Sequence, residues 1–77
     1  MDFNNLKQSY IATIQLGMSC NVDYEETKRG NDLLHRFCER VVDSSNHLDG
    51  EKKEMKQELS IIKETLSQEI DLFYRKG

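Results

Sequence analysis

The chain has 77 residues, a length that allows one domain and no more. Acidic side chains outnumber basic ones by 14 to 11, the net charge is −3, and no basic run is longer than a pair such as Lys52-Lys53. Because a nucleic-acid-binding protein needs a clustered positive surface that neutralises phosphates, this charge pattern predicts no nucleic-acid partner.

The apolar residues predict neither a membrane span nor a secretory leader. A membrane helix needs a run of about 18 apolar residues, and the chain contains no such run. The opening MDFNNLKQSY has an acid at position 2 and lacks the apolar stretch of a signal peptide. We therefore expect a cytoplasmic protein without membrane contact, in which Cys20 and Cys38 are free thiols.

The first predicted helix spans residues 3–18. Asp2 precedes it and is placed to cap it by accepting hydrogen bonds from backbone N–H groups one turn on. Leu16 is predicted to lie off its apolar face, and Gly17 to mark its frayed end. The apolar face itself carries Phe3, Leu6, Tyr10, Ile11, Ile14 and Met18.

The second predicted helix spans residues 24–46, and Asp23 with Glu26 has the spacing of a capping box at its start. Its apolar residues cover about half of the helix surface, which suits a middle helix between two neighbours. Gly30 costs about 1 kcal/mol in a helix interior, so a kink there and a later start stay open as alternatives. We expect Leu34, Cys38 and Val41 at the centre of this arc, with Leu33 and Phe37 on one flank and Val42 and Tyr24 on the other.

The third predicted helix spans residues 51–76 and follows a turn at residues 46–50 that contains an Asp-Gly pair. Its apolar residues recur at spacings of three and four, as in a coiled-coil seam: Met55, Leu59, Ile62, Leu66, Ile70 and Phe73. Three helices joined by short turns predict an all-α fold, a three-helix up-down-up antiparallel bundle. We expect residues 1–77 to form this single helical domain.

The predicted helices differ in length, which leaves apolar surface to be covered. At 1.5 Å per residue the first helix is about 25 Å long and the third about 39 Å, so the first does not cover the others fully. A strip on the third helix opposite its seam carries two further apolar residues. We expect the following to contact another protein, in a homodimer or a hetero-oligomer: Phe37, Val41, Ile61, Gln68 and Leu72. Ordinary scattered exposure of apolar residues is the alternative interpretation.

The histidines and cysteines predict no metal site and no cofactor. His35 and Cys38 stand three residues apart on one helix, but Cys20 and His47 do not supply a second pair at metal-binding spacing. We interpret His35 as a residue on the flank of the second helix and Cys38 as a small buried apolar residue. The sequence also lacks the phosphate-binding loop and the serine elbow that mark common classes of enzyme, so we expect no catalysis of those classes.

The run LSQEID at residues 66–71 resembles the S-Q-E-L-D signature of the small sporulation-type aspartyl-phosphate phosphatases. Those proteins are two-helix hairpins that act on phosphorylated response regulators. The resemblance implies a direct role for Asp71 at the phosphorylated partner and a supporting role for Gln68. Helical projection predicts that Ser67, Gln68 and Asp71 point into solvent, and that Asp71 pairs with Arg75 one turn on.

A second stretch, Tyr24-Glu25-Glu26, is similar to the opening of the second helix in three-helix trafficking modules of the MIT type. This resemblance implies a fold and no particular function. Taken together, the sequence favours a small acidic, non-catalytic protein-binding module, acting as an adaptor, chaperone or inhibitor through helix–helix contacts. Its alternatives are a phosphatase that acts on a response regulator through Ser67–Asp71 and a structural homodimer.

Overall fold

A computed structural model describes residues 2–75 of the chain. It contains three helices: α1 (Phe3–Ser19), α2 (Tyr24–Asp43) and α3 (Asp49–Arg75). Lys7 of α1 lies 3.0 Å from Glu58 near the start of α3, whereas Tyr24 at the start of α2 contacts Asp71 near the end of α3. Helices α1 and α3 therefore run in one direction and α2 in the other, which confirms the predicted three-helix bundle. The predicted end of the third helix at Lys76 lies outside the described residues.

The caps at the starts of the first two helices are those that the sequence predicts. Asp2 Oδ1 accepts a hydrogen bond from the Asn4 N–H at 3.0 Å, and Asp23 Oδ1 accepts one from the Glu25 N–H at 3.0 Å. Each carboxylate satisfies a backbone donor that the first turn of a helix leaves unpaired. The Glu26 carboxylate lies 3.7 Å from Arg29 on the same helix, so the cap of α2 rests on Asp23.

The end of α1 differs from the prediction. Helix α1 continues past Gly17 to Ser19, because Asn21 adopts a left-handed conformation with φ 59° that closes the helix. The Val22 N–H then bonds to the Gly17 carbonyl at 3.0 Å, and the Asn21 N–H to the Met18 carbonyl at 3.1 Å. This pair of bonds is a Schellman motif, which satisfies carbonyls at a helix end.

The turn between α2 and α3 also lies earlier than predicted. Helix α2 ends at Asp43 rather than at residue 46, and α3 begins at Asp49 rather than at residue 51. The Leu48 N–H donates to Glu51 Oε1 at 3.1 Å, and this side-chain bond fixes the first turn of α3. Gly50 consequently lies inside the helix, and residues 44–48 form the turn.

Helix α2 is continuous through Gly30, which decides between the alternatives that the sequence leaves open. Its buried face is rotated relative to the predicted arc. Leu34 and Val41 are only half-buried, and Leu33 and Phe37 are exposed. The face that packs against α1 and α3 includes polar residues and consists of Thr27, Asn31, His35, Cys38 and Val42.

The apolar core comes from all three helices and agrees with the prediction for α1 and for most of α3. Its buried members are Tyr10, Ile14, Met18, Cys38, Val42, Leu59, Leu66 and Ile70. The prediction for Phe73 is wrong, because this ring is about half exposed and Tyr74 packs against the core instead. The Tyr74 hydroxyl donates to the Val22 carbonyl and lies 3.0 Å from Thr27 Oγ1, which holds that ring inward.

His35 is buried, so its predicted place on the flank of α2 is wrong. Its Nδ1 lies 3.8 Å from the Glu39 carboxylate on the same helix. Its Nε2 is buried and has no hydrogen-bond partner within residues 2–75. The same rotation of α2 that exposes Leu33 and Phe37 carries this imidazole inward.

Asn31 joins the three helices at the centre of the bundle, where its side chain is only 2% exposed. Its side-chain oxygen accepts a hydrogen bond from the Tyr10 hydroxyl of α1, which also lies 3.1 Å from the Asn31 carbonyl. Its Nδ2 donates to the Lys63 carbonyl of α3 at 3.0 Å. Burial raises the pKa of Tyr10 well above its ordinary value, so the hydroxyl remains a donor. We refer to Tyr10, Asn31 and the Lys63 carbonyl as the asparagine junction.

Replacing Asn31 by alanine tests the asparagine junction. The change leaves the Tyr10 hydroxyl and the Lys63 carbonyl buried without this partner, so we expect a loss of about 1–3 kcal/mol in the free energy of unfolding. Urea denaturation followed by circular dichroism measures the loss. The matched control is Asn5→Ala on the exposed face of α1, which should change stability by less than about 0.5 kcal/mol. Equal midpoints for the two variants would contradict the role of the junction.

The continuity of α2 predicts that Gly30→Ala stabilises the protein. An added Cβ would lie 4.0 Å from Ile14 Cδ1, which is an ordinary van der Waals distance. Alanine is favoured over glycine in a helix interior by about 1 kcal/mol, so the urea midpoint should rise accordingly. A lower midpoint would show that the chain departs from a regular helix at this position.

Candidate functional site

Two residues of the phosphatase-like run lie in a polar cluster between α2 and α3. Lys28 Nζ donates to Ser67 Oγ at 2.5 Å and to Asp71 Oδ1 at 3.1 Å. The Tyr24 hydroxyl donates to the same Asp71 oxygen at 2.6 Å. Ser67 and Asp71 therefore face α2, and the prediction that they point into solvent is wrong. The antiparallel packing places the first turns of α2 beside them, so Asp71 pairs with Lys28 instead of Arg75.

The electrostatics of this cluster suit a structural contact better than catalysis. The hydrogen bond from Tyr24, and after it the one from Lys28, lowers the pKa of Asp71 below its ordinary value. The same bond to Asp71 raises the pKa of the Tyr24 hydroxyl. Lys28 acts as a donor to both Ser67 and Asp71, whereas activation of a serine requires a base that accepts its proton.

The structure divides the run LSQEID among three environments. Leu66 and Ile70 are buried in the core, Ser67 and Asp71 contact α2, and Gln68 is exposed. Gln68 and Asp71, which the resemblance assigns to one site, thus differ in their contacts: Asp71 bonds to α2, whereas Gln68 is exposed. The phosphatase role of these two residues stays a prediction.

A series of ion pairs runs along the junction of α2 and α3. Lys28 pairs with Asp71 at 3.1 Å, Lys63 with Asp32 at 3.0 Å and Lys56 with Asp43 at 2.7 Å. The hydrogen bond from Lys63 lowers the pKa of Asp32, and the bond to Asp43 raises the pKa of Lys56. We call these three pairs the ion-pair ladder. It fixes the two helices side by side and separates their solvent-facing surfaces.

The first of these surfaces, the α2 outer face, consists of Arg29, Leu33, Arg36, Phe37 and Arg40. Leu33 is 55% exposed and Phe37 59% exposed, and both line an open groove with Arg36 and Arg40. Arg36 lies 3.2 Å from Asp32, and Arg29 lies 3.7 Å from Glu26; both ion pairs lie within α2. The α2 outer face thus combines two adjacent apolar side chains with three arginines, and Glu39 and Asp43 line the same groove at its edge.

The second surface, the α3 outer face, is acidic around its apolar residues. Ile61 is 65% exposed and Leu72 55% exposed, and Gln68 lies between them on the same side. Ile61 also borders a groove between α1 and α3 that Ile11 and Ile62 line. The members of the α3 outer face are Glu54, Glu58, Ile61, Glu64, Thr65, Gln68 and Leu72.

The predicted partner-binding residues are distributed over these two faces. Phe37 belongs to the α2 outer face, whereas Ile61, Gln68 and Leu72 belong to the α3 outer face. Val41 is half-buried and borders a separate shallow groove with residues 44–47. The prediction missed the three arginines beside Phe37. The sequence held a signal for them, because positions 29, 36 and 40 recur at the spacing of one helical stripe.

The cysteines and histidines do not converge. Cys20 is exposed at the end of α1, Cys38 is buried in α2, and both are free thiols. Burial raises the pKa of the Cys38 thiol, which keeps it in its unreactive form. Within residues 2–75 there is no group of three His, Cys, Asp or Glu side chains arranged to hold a metal ion. Over the same residues, no helix combines the length and apolarity needed to cross a membrane.

Comparison with known proteins finds no match to a family model, to a curated protein or to a solved structure. The candidate site is therefore defined by the chain's own side chains. It consists of two exposed faces of mixed apolar and charged character, separated by the ion-pair ladder.

Asp71→Asn tests the structural role of the polar cluster through its pH dependence. The lowered pKa of Asp71 means that its contribution to stability is present above the unfolded value of about 3.9 and is lost as the pH falls through the folded value. We expect the variant to be less stable than the wild type at pH 7, with the difference shrinking as the pH falls through the folded pKa of Asp71. Urea midpoints at several pH values measure it. Glu69→Gln, on an exposed neighbour, is the control and should show no such difference, and a constant difference for Asp71→Asn would contradict the assignment.

Proposed function

We propose that the chain is a small acidic, non-catalytic protein-binding module that acts in the cytoplasm as an adaptor, chaperone or inhibitor. The observation that carries this proposal is the exposure of four large apolar side chains on the outer faces of two helices. They are Leu33, Phe37, Ile61 and Leu72.

The spacing of these side chains supports helix–helix binding. Leu33 and Phe37 are four residues apart, so they lie next to each other on one face of α2. Burying one such side chain contributes roughly 1.5–3 kcal/mol. Covering this pair therefore contributes substantially to the free energy of binding between the chain and its partner. Amphipathic helices bind in this way, through apolar anchors one turn apart.

The residues around the anchors support the same proposal. Arginine and aromatic side chains are enriched at protein interfaces and at their energetic centres. The α2 outer face combines Phe37 with Arg36 and Arg40 in this way. On α3, Gln68 lies between Ile61 and Leu72 and offers a polar contact at the rim. Val41 lies on the same helix as Phe37, one turn further on, and extends the proposed contact toward the α2–α3 turn.

The chemistry of the chain gives less support to an enzymatic function. The cluster that contains Ser67 and Asp71 is occupied by contacts with Tyr24 and Lys28. The grooves on both outer faces are open to solvent, whereas catalytic sites are usually concave and exclude water. We therefore propose binding as the function and assign these polar side chains to holding the helices together.

Photocrosslinking from the α2 outer face tests this function. A photoreactive p-benzoyl-phenylalanine replaces Phe37 in the source cell, and the crosslinked protein is identified, purified and titrated with the unlabelled chain. We expect Leu33→Asp with Phe37→Asp, or Ile61→Asp with Leu72→Asp, to weaken that titrated binding at least tenfold. Both double variants should keep the native circular dichroism spectrum, because the replaced side chains are exposed.

The matched control is Leu16→Asp on α1, where Leu16 is 64% exposed and belongs to neither outer face. This variant should bind as tightly as the wild type. If the control weakens binding as much as the two double variants do, or if no variant changes it, these faces do not carry the function.

A further inference from the structure

The two outer faces carry opposite charges. The α2 outer face has three exposed arginines, although the whole chain has a net charge of −3. The α3 outer face has three exposed glutamates, Glu54, Glu58 and Glu64. Each face therefore has the charge that would attract the other, and both occur on the same molecule.

The two charged stretches also match in length. Arg29 and Arg40 are eleven residues apart, which corresponds to about 16 Å along a helix. Glu54 and Glu64 are ten residues apart, which corresponds to about 15 Å. Leu33 and Phe37 lie between the outer arginines, and Ile61 lies between the glutamates. Glu39 and Asp43 also line the groove on α2, but Asp43 pairs with Lys56 at 2.7 Å and Glu39 lies 3.8 Å from His35. Both acids are thus engaged within the molecule, and each face has an apolar centre beside charges of mainly one sign that a partner can reach.

From this complementarity, and resting on the proposed protein-binding function, we propose that the partner is a second copy of this chain. The α2 outer face of one molecule binds the α3 outer face of the next. The apolar side chains Leu33 and Phe37 pack against Ile61, and the arginines face the glutamates. The acidic face that suits the arginine stripe is present in the chain itself.

The charges proposed for this contact lie outside the ion-pair ladder, although Glu58 also pairs with Lys7 of α1 at 3.0 Å. Arg40, Glu54 and Glu64 make no ion pair within residues 2–75. Arg29 and Arg36 pair only with acids on their own helix, in exposed positions where ion pairs contribute little. Pairing between copies therefore disrupts no contact of the ion-pair ladder. Because such charges are exposed before binding, salt should weaken the association.

The contact is heterologous, since each copy offers one face and receives its neighbour on a different face. The ion-pair ladder lies between the two faces, so a dimer formed through one contact retains an unused face of each kind. Heterologous contacts build rings or chains instead of stopping at a dimer. One helix face on each side buries less than the standard interface of roughly 1,600 Å², so we expect weak association that depends on concentration.

Sedimentation velocity on the purified chain and its variants tests the proposal. In about 50 mM salt the mean mass of the wild type should rise with concentration from that of a monomer past that of a dimer. Raising the salt to about 0.5 M should return it toward a monomer. Leu33→Asp with Phe37→Asp, and separately Ile61→Asp with Leu72→Asp, should each remain monomeric while keeping the native circular dichroism spectrum. Leu16→Asp should associate like the wild type.

Mixing the two double variants gives the decisive measurement. One variant keeps an intact α3 outer face and the other keeps an intact α2 outer face, so an equimolar mixture has one productive contact. It should form a dimer of one copy of each and nothing larger.

Three results would overturn the proposal. They are a wild type that stays monomeric at millimolar concentration, either double variant still dimerising when measured alone, and an equimolar mixture of the two double variants that stays monomeric. A monomeric wild type whose Phe37 probe crosslinks a different protein would refute the second copy as partner while leaving the protein-binding function intact. A monomeric wild type without a crosslinked partner would refute both.

Discussion

The asparagine junction fixes how the middle helix sits in the bundle. A buried amide must have both its donor and its acceptor paired, and Asn31 meets this requirement by bonding to Tyr10 of α1 and to the Lys63 carbonyl of α3. These bonds require one rotation of α2 about its axis and one position along it. That rotation places His35 and Cys38 inside and leaves Leu33 and Phe37 in solvent.

The exposure of Leu33 and Phe37 on α2 thus accompanies the burial of Asn31. If the apolar arc of α2 pointed directly at its neighbours, Phe37 would be partly covered and Asn31 would lie at the edge. The fold instead accepts a polar group at its centre and leaves apolar side chains outside. Buried polar groups of this kind set the register between helices in some proteins. Here the junction sets the position of each helix along the bundle axis.

The ion-pair ladder has a comparable effect on the polar residues of α3. It engages Asp71 with Lys28 and continues through Lys63 and Lys56, so this side of the helix holds α2 in place. Leu33, Phe37, Ile61 and Leu72, on the outer faces, are left in solvent. The proposed protein-binding function and the proposed self-association both rest on these apolar side chains and the charges beside them.

The sequence by itself determined the three helices, the caps at Asp2 and Asp23, the apolar face of α1 and the seam from Leu59 to Ile70. These follow from periodicity and from local hydrogen bonding, which depend on neighbours along the chain. It also indicated that Ile61 and Leu72 lie on the side of the third helix opposite its seam. Only the tertiary structure decided the rotation of α2, the inward position of His35, the replacement of Phe73 by Tyr74 and the contacts of Ser67 and Asp71.

The physical reason is that hydrophobic periodicity gives the direction of a helix face only to within a broad arc. The final rotation depends on which polar groups find partners on other helices. The sequence gives no sign that Asn31 is buried, because its two partners, Tyr10 and Lys63, are distant along the chain. The stripe of arginines on α2 was present in the sequence, but its position in solvent next to Phe37 depended on that same rotation.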